Sequence, residues 1–115
     1  MKNIAFVVLL VFVAFLFMRQ TQQGKPIVVA DLLKKNPGVV VDVRTKEDWN
    51  SGHVKEALHY DWNNGDFKRQ CSQFDKNKKY YLYCAAGGRS SAAMQYMKSI
   101  GFKDVVNLGG YNNLK

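Results

Sequence analysis

The most apolar stretch of the chain comes first. Ile4 to Met18 runs without a charge between Met1-Lys2-Asn3 and Arg19. It is apolar on every face, unlike a domain helix with one buried stripe. A charged start followed by an apolar run is the pattern of an export signal. Phe17-Met18-Arg19-Gln20 offers no small-residue cleavage site, which favours an uncleaved anchor. As a helix the run reaches roughly 22 Å, short of a hydrocarbon core of roughly 30 Å. Thr21 and snorkelling by Lys2 and Arg19 narrow that gap. Residues 1–19 are therefore expected to be a signal peptide or membrane anchor, 20–26 a polar linker, and 27–115 one folded domain. The expected location is the periplasm, or the inner membrane with the domain facing the periplasm.

Shorter patterns follow. Ile27-Val28-Val29 is a brief apolar stretch, and Asp31 to Lys35 reads as a short helix stopped by Asn36-Pro37-Gly38. Val39-Val40-Val41 is a β-branched run that fits a strand buried on both faces. Thr45 caps a short helix through Trp49, closed near Ser51-Gly52. Ala57 to Tyr60 is a candidate strand. Asp61 to Phe74 reads as helix and loop, with Trp62 and Phe67 as core contacts. Tyr80-Tyr81-Leu82-Tyr83 is a strand running into Cys84. Ser90 to Ile100 is helical, with Ala93, Met97 and Ile100 on one face and Gly101 as its stop. Val105 to Leu108 is the last strand, before Gly109-Gly110. Strands alternating with helices predict an α/β layer structure with a mainly parallel sheet.

Ligands of such sheets sit beyond the carboxyl ends of the strands, and Cys84 occupies such an end. The segment from Cys84 through Ala85, Ala86, Gly87, Gly88, Arg89 and Ser90 has the makings of an anion cradle. Small residues and two glycines let backbone N–H groups turn inward. A helix starting at Ser90 points its positive end at the same spot, and Arg89 adds a permanent cation. Each feature favours thiolate over thiol and so favours a nucleophile. A terminal persulfide sulfur, also anionic, would fit the same cradle.

Composition narrows the function classes. At 115 residues and 47% hydrophobic, the chain suits a single globular domain. Its net charge of +8 is spread, with no basic run longer than Lys34-Lys35 or Lys78-Lys79, so no nucleic-acid tail is expected. The excess suits small anions or anionic lipid, so membrane association is a further expectation. Without a CxxC or a His/Cys cluster, no metal site is expected.

The motifs resemble the rhodanese family of single-domain sulfurtransferases. Cys84, Gly87, Arg89 and Ser90 match its C-x-x-G-x-R-S loop. Asp42-Val43-Arg44, Glu47, Trp49, Gly52-His53-Val54 and Ala57 match an upstream signature in order. Gly101-Phe102, Val105 and Gly109-Gly110 resemble the closing segment, so the likeness spans about residues 27 to 111. Lys46 and Lys55 stand where proline is frequent, and Glu56 where glycine is common. Four residues separate Cys84 from Arg89. Related phosphatases use C-x5-R to encircle phosphate, and the shorter loop suits one sulfur atom.

The resemblance implies a five-stranded parallel sheet flanked by helices. It also implies a thiosulfate sulfurtransferase that stores sulfur as a Cys84 persulfide, with no metal or organic cofactor. The implied partners are a small anionic sulfur donor and a cyanide or thiol acceptor. Asp42, Arg44, Glu47 and His53 are supporting residues. Arg89 either binds the donor's anionic end or braces the loop through a carboxylate such as Glu47. Two alternatives stay open: a non-catalytic persulfide carrier acting with a protein partner, and a redox-gated module closed by a Cys71–Cys84 disulfide. A free, partly buried Cys71 is the preferred reading over that bond.

Overall fold

The computed structural model describes residues 25–115. The expected signal or anchor, residues 1–19, lies outside the described residues, as does most of the linker. Among the described residues no helix is long and apolar enough to cross a membrane.

The order of elements follows the local patterns closely. Helix α1 spans Val29–Lys35, with Asp31 in its first turn and Lys34 and Lys35 in its last, the charge placement that complements a helix dipole. Strand β1 is Val39–Asp42. Helix α2, Lys46–Asn50, is capped by Thr45, whose hydroxyl oxygen accepts the Asp48 N–H at 3.3 Å. Strand β2 is only Leu58–His59, and helix α3 is Asp66–Cys71. Strand β3, Tyr80–Cys84, is buried at every position. Helix α4, Gly88–Ser99, begins two residues before the expected Ser90. Strand β4 is Val105–Gly110 and takes in the glycine pair expected to follow it.

The sheet has four parallel strands in the order β2-β1-β3-β4, not the expected five. The apolar stretch at Ile27 lies outside these four strands. Its backbone makes one parallel bridge, to Leu114. Val29 then turns into α1 and buries its side chain. Too few residues remain extended for a ladder.

Strand β3 divides the core by the two-residue period of a strand. Tyr80, Leu82 and Cys84 pack on one face with Phe67, Ala93, Met97 and Phe102. Tyr81 and Tyr83 pack on the other with Val29, Val40, Val54 and Leu108. Leu82 and Met97 are fully buried, each contributing roughly 1.5–3 kcal/mol. The tyrosine hydroxyls do not go unpaired. Tyr80 donates to the Asp75 carbonyl at 2.7 Å and Tyr81 to the Asn36 carbonyl at 2.8 Å, while Tyr83 accepts the Val54 N–H at 3.0 Å.

The strand order reverses between β1 and β3. Successive connections leave these neighbours in opposite directions, which opens a crevice at their carboxyl ends. Asp42 ends β1 and Cys84 ends β3. A buried ion pair fixes the first of these ends. The Asp42 carboxylate accepts from Arg44 Nε at 3.0 Å, from its Nη2 at 2.7 Å and from its backbone N–H at 2.8 Å. Arg44 Nη2 also donates to the Gly52 carbonyl at 2.6 Å, and its guanidinium lies 4.2 Å from the Tyr111 ring centroid. Burial works against the Arg44 charge, but Asp42 outweighs it and holds the group more firmly protonated than usual.

Removing one partner of such a pair strands a buried charge. Asp42→Ala is expected to lower unfolding free energy by about 3–5 kcal/mol in urea titration. Asp104→Ala, which breaks an exposed 3.6 Å pair with Lys79, should cost less than about 1 kcal/mol. Equal losses would refute a bracing role for Asp42.

Candidate active site

Cys84 leaves the sheet into a turn that local chemistry closes tightly. Gly87 has φ +99°, a conformation that side chains resist, and sits just before α4. Its N–H donates to Cys84 Sγ at 3.0 Å. The Ser90 hydroxyl lies 3.3 Å from the same sulfur. Both residues belong to the turn that starts α4, so the positive end of that helix faces the thiol. Below the turn, β4 supplies two glycines. A Cβ on Gly110 would stand 2.7 Å from the Ala85 carbonyl oxygen, and Gly109 has φ +91°. The loop therefore rests on bare backbone.

The sulfur is 1% exposed, which alone would keep it a thiol. Burial does push Cys84 up. The Ser90 hydroxyl and the N–H groups of Ser90, Ala86 and Gly87 more than reverse this and hold it below the ordinary thiol range. Cys71 shares the same core cluster but has only the Lys68 carbonyl at 3.8 Å beside its sulfur. Burial pushes that thiol up. Both cysteines are free in this structure. The two thiols differ by what converges on them, and that difference singles out Cys84.

The other expected residues separate into groups. Ala85, Ala86 and Gly88 form the exposed rim of the loop. Arg89 turns to Asp48 rather than to Glu47, with Nη2 4.0 Å from the Asp48 carboxylate. The reason is helical geometry: Asp48 follows the Thr45 cap on the side of α2 that faces the loop. Glu47 is exposed and pairs with no described residue. Asp42 and Arg44 brace the β1 end. The Arg44 guanidinium lies over Tyr83 and Tyr111, on the sheet face opposite the one Cys84 enters. His53 donates from Nδ1 to the Trp49 carbonyl at 2.9 Å and stacks on the Trp49 ring at 3.4 Å. His59 covers the same indole at 5.0 Å and reaches the Arg44 carbonyl through Nε2 at 2.8 Å. Neither imidazole hydrogen-bonds to Cys84.

Sequence reasoning passed over Asn107. Its side chain contacts Ser90 at 2.6 Å and the Gly87 carbonyl at 3.1 Å. The available signal was a polar residue between Val106 and Leu108 in an otherwise apolar strand.

The geometry suits a small anion. A cleft of about 290 Å³ between His53–Glu56 and Tyr111–Lys115 contains none of the loop residues. Around the sulfur there is instead a narrow ring of donors that fits an anionic atom at or beyond Sγ.

Comparison with known proteins identifies the family. The model of the rhodanese-like domain matches residues 25–115. The thiosulfate sulfurtransferase GlpE of Coxiella burnetii is 31% identical over 86 residues, covering 74% of this chain and 78% of its own. The putative sulfur carrier protein YrkF of Bacillus subtilis is 30% identical over 69 residues, covering 60% of this chain and 36% of its own. The crystal structure of a rhodanese-like domain protein from Staphylococcus aureus superposes with a TM-score of 0.63 at 32% identity, covering 77% of this chain and 89% of that one. With Cys84 at the end of β3 and a matching sequence along the whole described region, the chain belongs to the rhodanese-like domain family.

Proposed function

We propose that this protein is a thiosulfate-type sulfurtransferase with Cys84 as its nucleophile. The observation that carries this reading is the set of donors converging on a buried sulfur, from Gly87 at 3.0 Å and Ser90 at 3.3 Å. They favour the thiolate, the form that attacks sulfane sulfur. In the first half-reaction Cys84 Sγ attacks the outer sulfur of thiosulfate. A new Sγ–S bond forms, the S–S bond of the donor breaks, and its electron pair leaves with sulfite. The enzyme then carries an anionic persulfide. Cyanide or a thiolate attacks that terminal sulfur, the Sγ–S bond breaks, and the Cys84 thiolate returns. The carrier group is the cysteine itself, and the reaction balances without a metal or organic cofactor.

A second reading, a persulfide carrier discharged by a protein partner, draws support from the 1% exposure of Cys84 and from the likeness to a putative sulfur carrier protein. The apolar run Ile4 to Met18 supports export or anchoring with the domain facing the periplasm. External protease applied after outer-membrane permeabilisation tests that placement, since a protected domain would exclude it.

Three outcomes are expected. Incubation with thiosulfate should add the mass of one sulfur atom to the intact protein, and cyanide should remove it. An equal gain on Cys84→Ser would overturn the assignment, and persistence of the sulfur in cyanide would favour the carrier. Alkylation of Cys84 by iodoacetamide should rise with pH and level off, because only the thiolate reacts. Its midpoint should lie below that of an unperturbed thiol, of about pH 8.5. Gly110→Ala should lower sulfur uptake roughly tenfold or more and lower Tm as well, since its Cβ would strike the Ala85 backbone and force the loop to shift.

A further inference from the structure

Asn107 occupies an irregular point in the sheet. Leu82 pairs with Asn107, but the next residue of β3, Tyr83, pairs with Gly109, so β4 bulges at this point. Bulges re-aim side chains, and this one turns the Asn107 amide toward the loop. Its Oδ1 accepts the Gly109 N–H at 2.9 Å, and its Nδ2 donates to the Gly87 carbonyl at 3.1 Å. These two contacts determine the amide's orientation, because Gly109 N–H needs an oxygen and the Gly87 carbonyl needs a donor. The oxygen therefore faces Ser90 Oγ at 2.6 Å, and at that contact the hydroxyl must be the donor.

Ser90 has one hydroxyl proton and three acceptors within reach. They are Asn107 Oδ1 at 2.6 Å, the Gly87 carbonyl at 3.2 Å and Cys84 Sγ at 3.3 Å. A neutral sulfur is a weak acceptor and loses this competition. A thiolate is a charged acceptor and wins it.

We propose that Asn107 is a positioning residue for Cys84, holding the Ser90 hydroxyl proton while the sulfur is neutral and releasing it to Sγ when the sulfur is a thiolate. The inference rests on Cys84 being the nucleophile. In the persulfide the charge sits on the outer sulfur, so the hydroxyl turns back to Asn107. In the free enzyme it turns to Sγ. No proton leaves the site; one O–H bond rotates. The same amide pins the Gly87 carbonyl and so keeps the Gly87 N–H aimed inward. The charged groups on neighbouring elements are engaged elsewhere. Asp42 pairs with Arg44 at the end of β1, and Arg89 of α4 faces Asp48 of α2. Glu47 is exposed, and β4 carries no charge.

The test is a double-mutant cycle on the pH midpoint of iodoacetamide alkylation, read at the Cys84 peptide by mass spectrometry. Ser90→Ala should raise that midpoint by about one unit in the wild-type background. In Asn107→Ala the hydroxyl has no competing amide oxygen, so Ser90→Ala should raise it further, by about half a unit more. In Asn107→Asp the carboxylate holds the proton harder, so Ser90→Ala should raise it less. The comparison within each background cancels any general loosening or direct charge effect. Equal shifts in all three backgrounds, or the reverse order, would overturn the proposal. If Asn107→Ala does not fold, the near-isosteric Asn107→Asp decides alone. The readout is ionisation, not sulfur transfer. Coupling without sulfur uptake from thiosulfate would therefore refute the proposed function and leave the positioning role intact.

Discussion

A sulfur atom sealed from water resists ionisation, and everything around Cys84 answers that resistance. Burial alone leaves a thiol neutral, as Cys71 shows in the same core. Cys84 escapes because a left-handed glycine turns an N–H inward and because α4 begins at once beyond it. These donors are fixed before any substrate arrives. The main-chain N–H groups need no rearrangement when charge develops, which is what makes such groups effective in a site from which water is excluded; only the Ser90 hydroxyl turns.

The fold's part is to hold the donors still. Among the described residues β3 is the only strand buried at every position, and it ends at the reversal of strand order. On one side Asp42 and Arg44 lock the end of β1 to Gly52 and to the Tyr111 ring. On the other, the glycines of β4 let backbone lie directly under the turn. The site is clamped between a buried ion pair and a side-chain-free floor. It does not depend on a deep pocket.

Features encoded within a few residues were legible in the sequence. The β-branched run Val39-Val40-Val41 and the Thr45 cap each carry their own structural instruction and form as read, and the glycine turn after Cys84 aims an N–H at the sulfur as expected, although its helix starts two residues early and Arg89 turns away to Asp48. Features that depend on distant partners were not. Asn107 meets residues 17 and 20 positions earlier, and nothing in a lone asparagine announces that. The partner of Arg89 is Asp48 and not Glu47, a choice made by the rotation of α2. The fifth strand came from the family resemblance and from no strand pattern in this chain, and Ile27-Val28-Val29 makes one bridge before Val29 enters α1. Local pattern singled out the loop cysteine; tertiary contacts chose which neighbours tune it.

The rim of the loop has a separate consequence. Apart from the Ser90 hydroxyl, the groups that hydrogen-bond to the sulfur are main-chain N–H groups. The side chains of Ala85 and Ala86 face solvent, and a Cβ at Gly88 would meet open space. Reactivity and recognition are thus written on different parts of the same few residues. Substitutions on the rim can therefore change what the loop presents to its surroundings while the donors beneath stay in place.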